Sequence, residues 1–278
     1  MSNKMSRLLA LFATLGISVS SMGFGPQMAG SKGGAGEVPI VTPRSHGEQV
    51  QPAAKDLPAE DFSVREDNGR QKIAPVKNAS EAPPEIAVLI QDSLISRVNN
   101  EIRGIKKFIL GLPEGTRVMT GYLTVGTLNV AQQFTDDRRR AADSLRIIRS
   151  NPGSAPYNPY VEVIEALRHY DEQPAGRRLM LLISDGLDLS RGLSDANPSQ
   201  SIDLQRAIRD CQRKGVTVYS FYAPSTGLSD FNLGTIFGQG SLLRLSHETG
   251  GEAFFAGNSF VTFDPYFKRL NALLGRGY

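Results

Sequence analysis

Residues 86–96 read IAVLIQDSLIS: five apolar residues, Ile86 to Ile90, run straight into Gln91-Asp92-Ser93, and Ser96 follows. An unbroken apolar run of this length suits a strand buried on both faces; a half-exposed strand would alternate. A second stretch, RLMLLISDG from Arg178 to Gly186, has the same form and ends in Ser184 and Asp185. Two buried strands that each stop in an acid beside a hydroxyl point to one sheet whose strand ends gather oxygen-bearing side chains.

Working outward, apolar strands alternate with helical patterns. Residues 98–110 have helical spacing, and RVMTGYLTV and TLNVAQQF pair as strands around Gly126. TDDRRRAADSLRIIRS reads as a helix with Thr135 as N-cap and Leu145 and Ile148 on one face. YVEVIEALRHY is a second amphipathic helix, and SIDLQRAIRDCQRKG a third, closed by Gly215. VTVYSFYA is a buried strand, SLLRLSHETGG a helix, GEAFFAG a strand and FDPYFKRLNALLG a last helix. This order predicts an α/β, Rossmann-like three-layer domain over residues 86–278, with a central, mostly parallel sheet of about six strands flanked by helices. In such sheets ligands bind outside the strand C-termini where the strand order reverses. The ends of the strands reaching Asp92 and Asp185 are therefore expected to converge.

The segments before that domain differ in kind. Lys4 and Arg7 precede an apolar run from Leu8 to Ser20, and Ser21 and Gly23 suit cleavage, so residues 1–23 read as a signal peptide. Residues 24–55, rich in Gly, Pro, Ser and Gln, read as a disordered linker. Its glycine run follows no strand and opens no helix, so it is not a phosphate loop. DFSVREDNGRQKI, within residues 56–80, reads as a small β-unit turning at EDNG, and APPE marks the boundary before the main domain. The expectation is a secreted or periplasmic protein with no membrane span after signal cleavage, with an uncleaved N-terminal anchor as the alternative.

Composition narrows the chemistry. The 278 residues are 40% hydrophobic and 21% charged, with a formal charge of +3. The RRR at Arg138 to Arg140 follows Asp136 and Asp137, so it reads as a solvated helix start and no nucleic-acid partner is expected. The single cysteine, Cys211, excludes an internal disulfide and a Cys-rich zinc site, and it reads as a small buried residue. His46, His169 and His247 are dispersed, and H-E-x-x-H, G-x-S-x-G, P-loop and C-x-x-C patterns are absent. A hydrolase, metal-assisted or built from Ser184 or Ser96 with His247 and Asp185, is the least supported alternative.

With IAVLIQDSLIS and GRRLMLLISDGLD, the stretches LPEGTRVMTGYL, FTDD, GVTVYSFYAPS and LSHETGGEAFF resemble a von Willebrand factor type A domain. The resemblance covers about residues 86–278 and extends, through DFSVREDNGRQKI, to a bacterial, acidobacterial-type subgroup of secreted proteins. It implies a Rossmann-like fold, a protein-binding role on the C-terminal face of the sheet, an unknown protein partner and no enzymatic activity. A structural or assembly role in an envelope complex, with an idle site, is the alternative. It also implies a metal-ion-dependent adhesion site: Asp-x-Ser-x-Ser after the first strand, a Thr in a second loop and an Asp after the fourth strand.

This chain departs from that pattern. With Asp92 in first place, Leu94 stands where a ligating serine belongs and the metal candidates are Asp92, Ser96 and Asp185. With Gln91 in first place, Ser93 enters the set, Ile95 replaces the second serine and the carboxylate is lost. The loop NPGSAPYNPY holds no threonine; Tyr157 and Asn158 lie nearest. Mg²⁺ or Ca²⁺ is the cofactor this would take, and a degenerate site of weak or absent affinity is expected because Mg²⁺ demands a full oxygen octahedron. Asp92 and Asp185 are expected to be solvated or hydrogen-bonded to backbone N–H groups at the following helix start and loop; Arg97 and Arg191, which follow the two motifs, are nearby cations that would replace the ion if they reach either acid.

Overall fold

The computed structural model describes residues 65–66, 69–70, 83–174, 176–193, 196–226, 233–255 and 262–274, with the side chains of 65–66, 69–70 and 272–274 excepted. Residues 1–23 and 24–55, expected to form a signal peptide and a linker, lie outside these residues. Of the small β-unit, β1 (Arg65–Glu66) and β2 (Gly69–Arg70) are described, and they pair antiparallel.

Alternation along β3 (Glu85–Gln91) divides the core in two, because successive side chains leave a strand on opposite faces. Ile86, Val88 and Ile90 pack into one cluster, and Ala87 and Leu89 into the other. The sheet holds β3 at its centre, with β4 (Arg117–Thr124) and the edge strand β5 (Thr127–Thr135) on one side. β6 (Arg178–Ser184), β7 (Val216–Tyr222) and β8 (Ala253–Phe254) lie on the other. The order β5-β4-β3-β6-β7-β8 is parallel throughout except for the β4–β5 hairpin. Counted from β3 this is 3-2-1-4-5-6, so the order reverses between β3 and β6.

Residues from α1 (Ile102–Leu110), α2 (Arg138–Asp143) and α6 (Asp264–Leu274) join the Ile86 cluster, where Phe108, Phe221, Phe263 and Phe267 contact one another. Residues from α3 (Pro159–Ala166), α4 (Ile202–Lys214) and α5 (Leu233–Glu248) join the Ala87 cluster, along with the buried Cys211. The expected strands and their mostly parallel pairing are present.

Helix lengths differ from the sequence pattern for local reasons. The helix expected over 98–110 opens as a 3₁₀ turn, Ser96–Asn100, before α1. α2 stops at Asp143 although the apolar spacing runs on to Ile148. Beyond it, side chains claim the backbone groups: Tyr122 Oη accepts from Arg146 N at 2.7 Å, Asn99 Oδ1 from Ile148 N at 2.8 Å and Asp92 Oδ1 from Arg149 N at 2.9 Å. Its N-cap is Asp137, whose carboxylate accepts from Arg140 N; Thr135 instead accepts from Asp137 N. α5 begins at Leu233, well before the expected SLLRLSHE. Its glycines have low helix propensity, but a Cβ at Gly238 would stand 2.0 Å from Asp185 O, so packing against the β6 loop overrides propensity there.

Candidate functional site

β3 and β6 are adjacent and parallel, with Ile90 opposite Ile183, so their C-terminal ends meet at the reversal point. The residue after each apolar run decides what gathers there. Gln91 continues the odd-numbered set of β3, and its side chain turns toward Ser184, Asp185 and the loop after β7. Asp92 continues the even-numbered set and turns toward the segment after α2.

Around Gln91 the hydrogen bonds close on themselves. Ser184 Oγ donates to Gln91 Oε1 at 2.7 Å, and Asp185 N donates to the same oxygen at 3.3 Å. The two hydrogens of Gln91 Nε2 are shared among three acceptors, Asp185 Oδ2 at 2.8 Å, Ser225 Oγ at 2.8 Å and Ser93 Oγ at 3.0 Å. Ser225 Oγ also donates to Asp185 Oδ2, and Leu187 N donates to Asp185 Oδ1 at 3.0 Å. With the Ser225 proton committed, Ser93 is the donor in its 3.3 Å contact with Ser225 Oγ. The amide has one workable orientation: reversed, it would set its NH₂ against the Asp185 backbone N–H and its oxygen against a carboxylate.

Gln91, Ser93, Ser184, Asp185 and Ser225 are all buried. The loop after β7 seals them in. Ile95 N donates to Pro224 O at 3.0 Å, Thr226 N donates to Ser93 O at 3.0 Å, and Leu94 and Ser225 form an isolated bridge. Burial pushes the Asp185 carboxyl above the ordinary carboxylate range, and the bonds from Ser225, Leu187 N and Gln91 pull it part of the way back.

Asp92 has a different environment. Arg146 grips it with two bonds, Nη1 to Oδ1 at 2.8 Å and Nη2 to Oδ2 at 3.1 Å. Arg149 adds its backbone N to Oδ1 at 2.9 Å and places Nε 3.4 Å from Oδ2. The Arg146 guanidinium also lies 3.9 Å from the centroid of the Tyr122 ring.

The candidate residues therefore fall into three places. Asp185 and Ser93 share the Gln91 cluster, so the Gln91 register is the one whose residues come together. Asp92 belongs to the arginines on the other face, and Ser96 is exposed in the 3₁₀ turn. Each acid accepts from a backbone N–H, Asp92 from Arg149 N and Asp185 from Leu187 N, and the cations beside Asp92 are Arg146 and Arg149 in place of Arg97 or Arg191, delivered by the segment that α2 fails to extend into. Asp185 is compensated by neutral donors. Asn158 caps α3 and donates from Nδ2 to Asp203 at 2.7 Å, while Tyr157 is exposed.

Ser225 is the cluster member that the sequence reading missed. Its signal was a third apolar strand, β7, ending in the hydroxyl-bearing Ser225-Thr226. The serine–histidine arrangement does not assemble. His247 is exposed on α5, and the Ser184 hydroxyl is donated to Gln91.

No protein-family profile matches the chain, and no curated protein matches it. Solved structures do. An aerotolerance-related membrane protein from Bacteroides fragilis aligns at 15% identity over 70% of this chain and 99% of that one, with a TM-score of 0.48. A von Willebrand factor type A protein from Catenulispora acidiphila aligns at 16% identity over 69% of this chain and 42% of that one, at 0.49. Manganese-loaded TRAP from Plasmodium vivax aligns at 10% identity over 69% of this chain and 74% of that one, at 0.46. The strand order, the antiparallel edge hairpin and the helices on both faces make this a Rossmann-like three-layer α/β fold.

Proposed function

We propose that the chain is an exported protein-binding module that works without a metal ion and meets its partner through the loops at the C-terminal edge of the sheet. The observation that carries this reading is the Gln91 amide. A nitrogen that donates hydrogen bonds to Asp185 and Ser93, two of the oxygens that the family's pattern would offer to a cation, and to Ser225 beside them, stands in the middle of the cluster. These residues do not fit Mg²⁺. The set supplies one carboxylate and two hydroxyls, whereas the ion requires near-octahedral oxygen coordination. An amide N–H is not a ligand, and presenting the amide oxygen instead would break its bonds from Ser184 and Asp185 N. Burial also keeps a partner's carboxylate out of reach of the cluster.

Support for a non-catalytic role comes from the same network, in which the hydroxyl protons of Ser184 and Ser225 are both engaged. Support for export comes from Lys4, Arg7 and the apolar run that follows. Among the described residues no helix is long and apolar enough to cross a membrane. The test is thermal melting of the full chain with added Mg²⁺, Mn²⁺ or Ca²⁺. A ligand that binds only the native state raises stability by RT ln(1 + [L]/Kd). An unchanged Tm at millimolar cation is expected; a concentration-dependent rise that Asp185→Ala removes would overturn the reading.

A further inference from the structure

The segment Arg146-Ile147-Ile148-Arg149-Ser150 combines four features. Two guanidiniums face the single carboxylate of Asp92, leaving one positive charge in excess. The Arg149 side chain is 64% exposed, and among the described residues its guanidinium meets only Asp92, through Nε, which leaves both terminal NH₂ groups without a partner there. Ile147, between the arginines, is 69% exposed, although Leu145 and Ile148 beside it are buried. Ser150 has φ 53° and is the one non-glycine residue at positive φ among those described. A side-chain-bearing residue in that region stores strain, and such strain concentrates in binding loops.

The backbone is held from several sides. Ser150 N donates to Asp92 O at 2.9 Å, Thr226 Oγ1 donates to Ser150 O at 3.3 Å, and Asn99 Oδ1 accepts from Ile148 N at 2.8 Å. The Asn99 contact joins the segment to the turn that carries the exposed Arg97. Glu101, at the end of that turn, has its carboxylate engaged by Phe263 N and Thr262 Oγ1.

We infer that this segment is the partner-docking loop, and that it takes an acidic peptide: a carboxylate of the partner pairs with the open face of the Arg149 guanidinium while an adjoining apolar side chain covers Ile147. The inference rests on the metal-independent reading above and supplies what that reading lacks, a group to receive the partner's carboxylate. A planar guanidinium with two free NH₂ groups matches a carboxylate in a paired geometry. Asp92 anchors Arg146, and through the Arg149 backbone it fixes the position of the second arginine in advance, which lowers the ordering cost on binding. The excess charge of Arg149, with Arg97 in the adjoining turn, beside one exposed isoleucine falls short of the cluster of about four to eight basic residues that an anionic membrane draws on, and favours a peptide.

The test uses the purified full chain on arrays of octapeptides centred on Asp or Glu with apolar neighbours. Each is printed beside its Asn or Gln twin, with phosphatidylserine vesicles as a second arm. Binding to acidic members over their amide twins is expected, weakening with salt and falling about tenfold or more in Arg149→Gln. Ile147→Ser should also weaken it. Arg149→Gln keeps the Arg146 grip and the backbone bond to Asp92, so an unchanged Tm separates lost docking from lost folding. Equal binding of acidic and amide peptides, indifference to Arg149→Gln, or vesicle binding without peptide discrimination would each overturn the inference. Peptide binding that requires Mg²⁺ would overturn the metal-independent reading instead.

Discussion

Gln91 and Asp92 are chain neighbours at the end of one strand, yet they stand in opposite environments. Gln91 is closed into a buried network of neutral donors around Asp185, under the loop that follows β7. Asp92, one residue on and across the sheet, is charged and gripped by arginines that are 37% and 64% exposed. The strand's period of two produces the difference: a one-residue step carries a side chain from one layer to the other. Both arrangements answer the same physical problem, an acid held out of water at the reversal point of the sheet. An amide and hydroxyls answer it for Asp185, and guanidiniums for Asp92.

The largest expected effect comes from breaking the close packing behind the Gln91 cluster. Gly238→Ala would set a Cβ 2.0 Å from Asp185 O, against backbone that has little room to move. Overpacking of this kind should cost about 3 kcal/mol or more, read as a lowered urea midpoint. Binding through Arg149 should survive in whatever fraction stays folded.

Next comes Gln91→Asp, which places a second buried carboxylate beside Asp185. A buried charge without adequate partners should cost about 3 kcal/mol in chelator, with Tm as the measure. A cation added at millimolar concentration should restore part of the loss. Failure of any cation to do so would show that the cavity, and not the amide, excludes metal.

On the other face, Asp92→Asn keeps the shape and removes the charge. Arg146 and Arg149 both reach solvent, so the cost should be smaller than for a fully buried pair, about 2 kcal/mol. Acidic-peptide binding should weaken as well, because the arginines lose their anchor. A loss of stability with binding intact would separate the two roles.

A pH-dependent effect sharpens the comparison with a buried acid that has neither kind of partner set. Glu162, on α3, is buried beside Glu165, its Oε2 lacks a hydrogen-bond partner, and burial raises its pKa to about 8. The folded pKa lies above the unfolded value, so the native state holds a proton that the unfolded chain releases. Its contribution to stability is complete below the ordinary glutamate range and is lost as pH rises through about 8. Glu162→Gln should flatten the decline of Tm across that interval, and an unchanged profile would point to another group.

Much of this was legible in the sequence. The runs IAVLI, RLMLLIS and VTVYSFY fixed the central strands because strands buried on both faces leave little choice of residue. Asp185 and Ser93 were named because acids and hydroxyls after such strands are conspicuous. Ser225 was not, since a serine in a Pro-containing loop looks like turn chemistry until the fold brings it onto Asp185. The partners of Asp92 were hidden for another reason. Arg146 lies 54 positions along the chain, in a stretch whose apolar spacing reads as continuing helix. Only the tertiary bonds from Tyr122, Asn99 and Asp92 reveal that the helix ends and the arginines turn inward.

The central claim, that the Gln91 amide fills the place a cation would take, is tested most directly by calorimetric titration of Mg²⁺, Mn²⁺ and Ca²⁺ into the full chain and into Gln91→Asp. The account predicts no saturable heat for the natural sequence, and saturable binding in Gln91→Asp that is lost when Asp185→Ala is added. Binding by the natural sequence with a dissociation constant in the low micromolar range, abolished by Asp185→Ala alone, would contradict it.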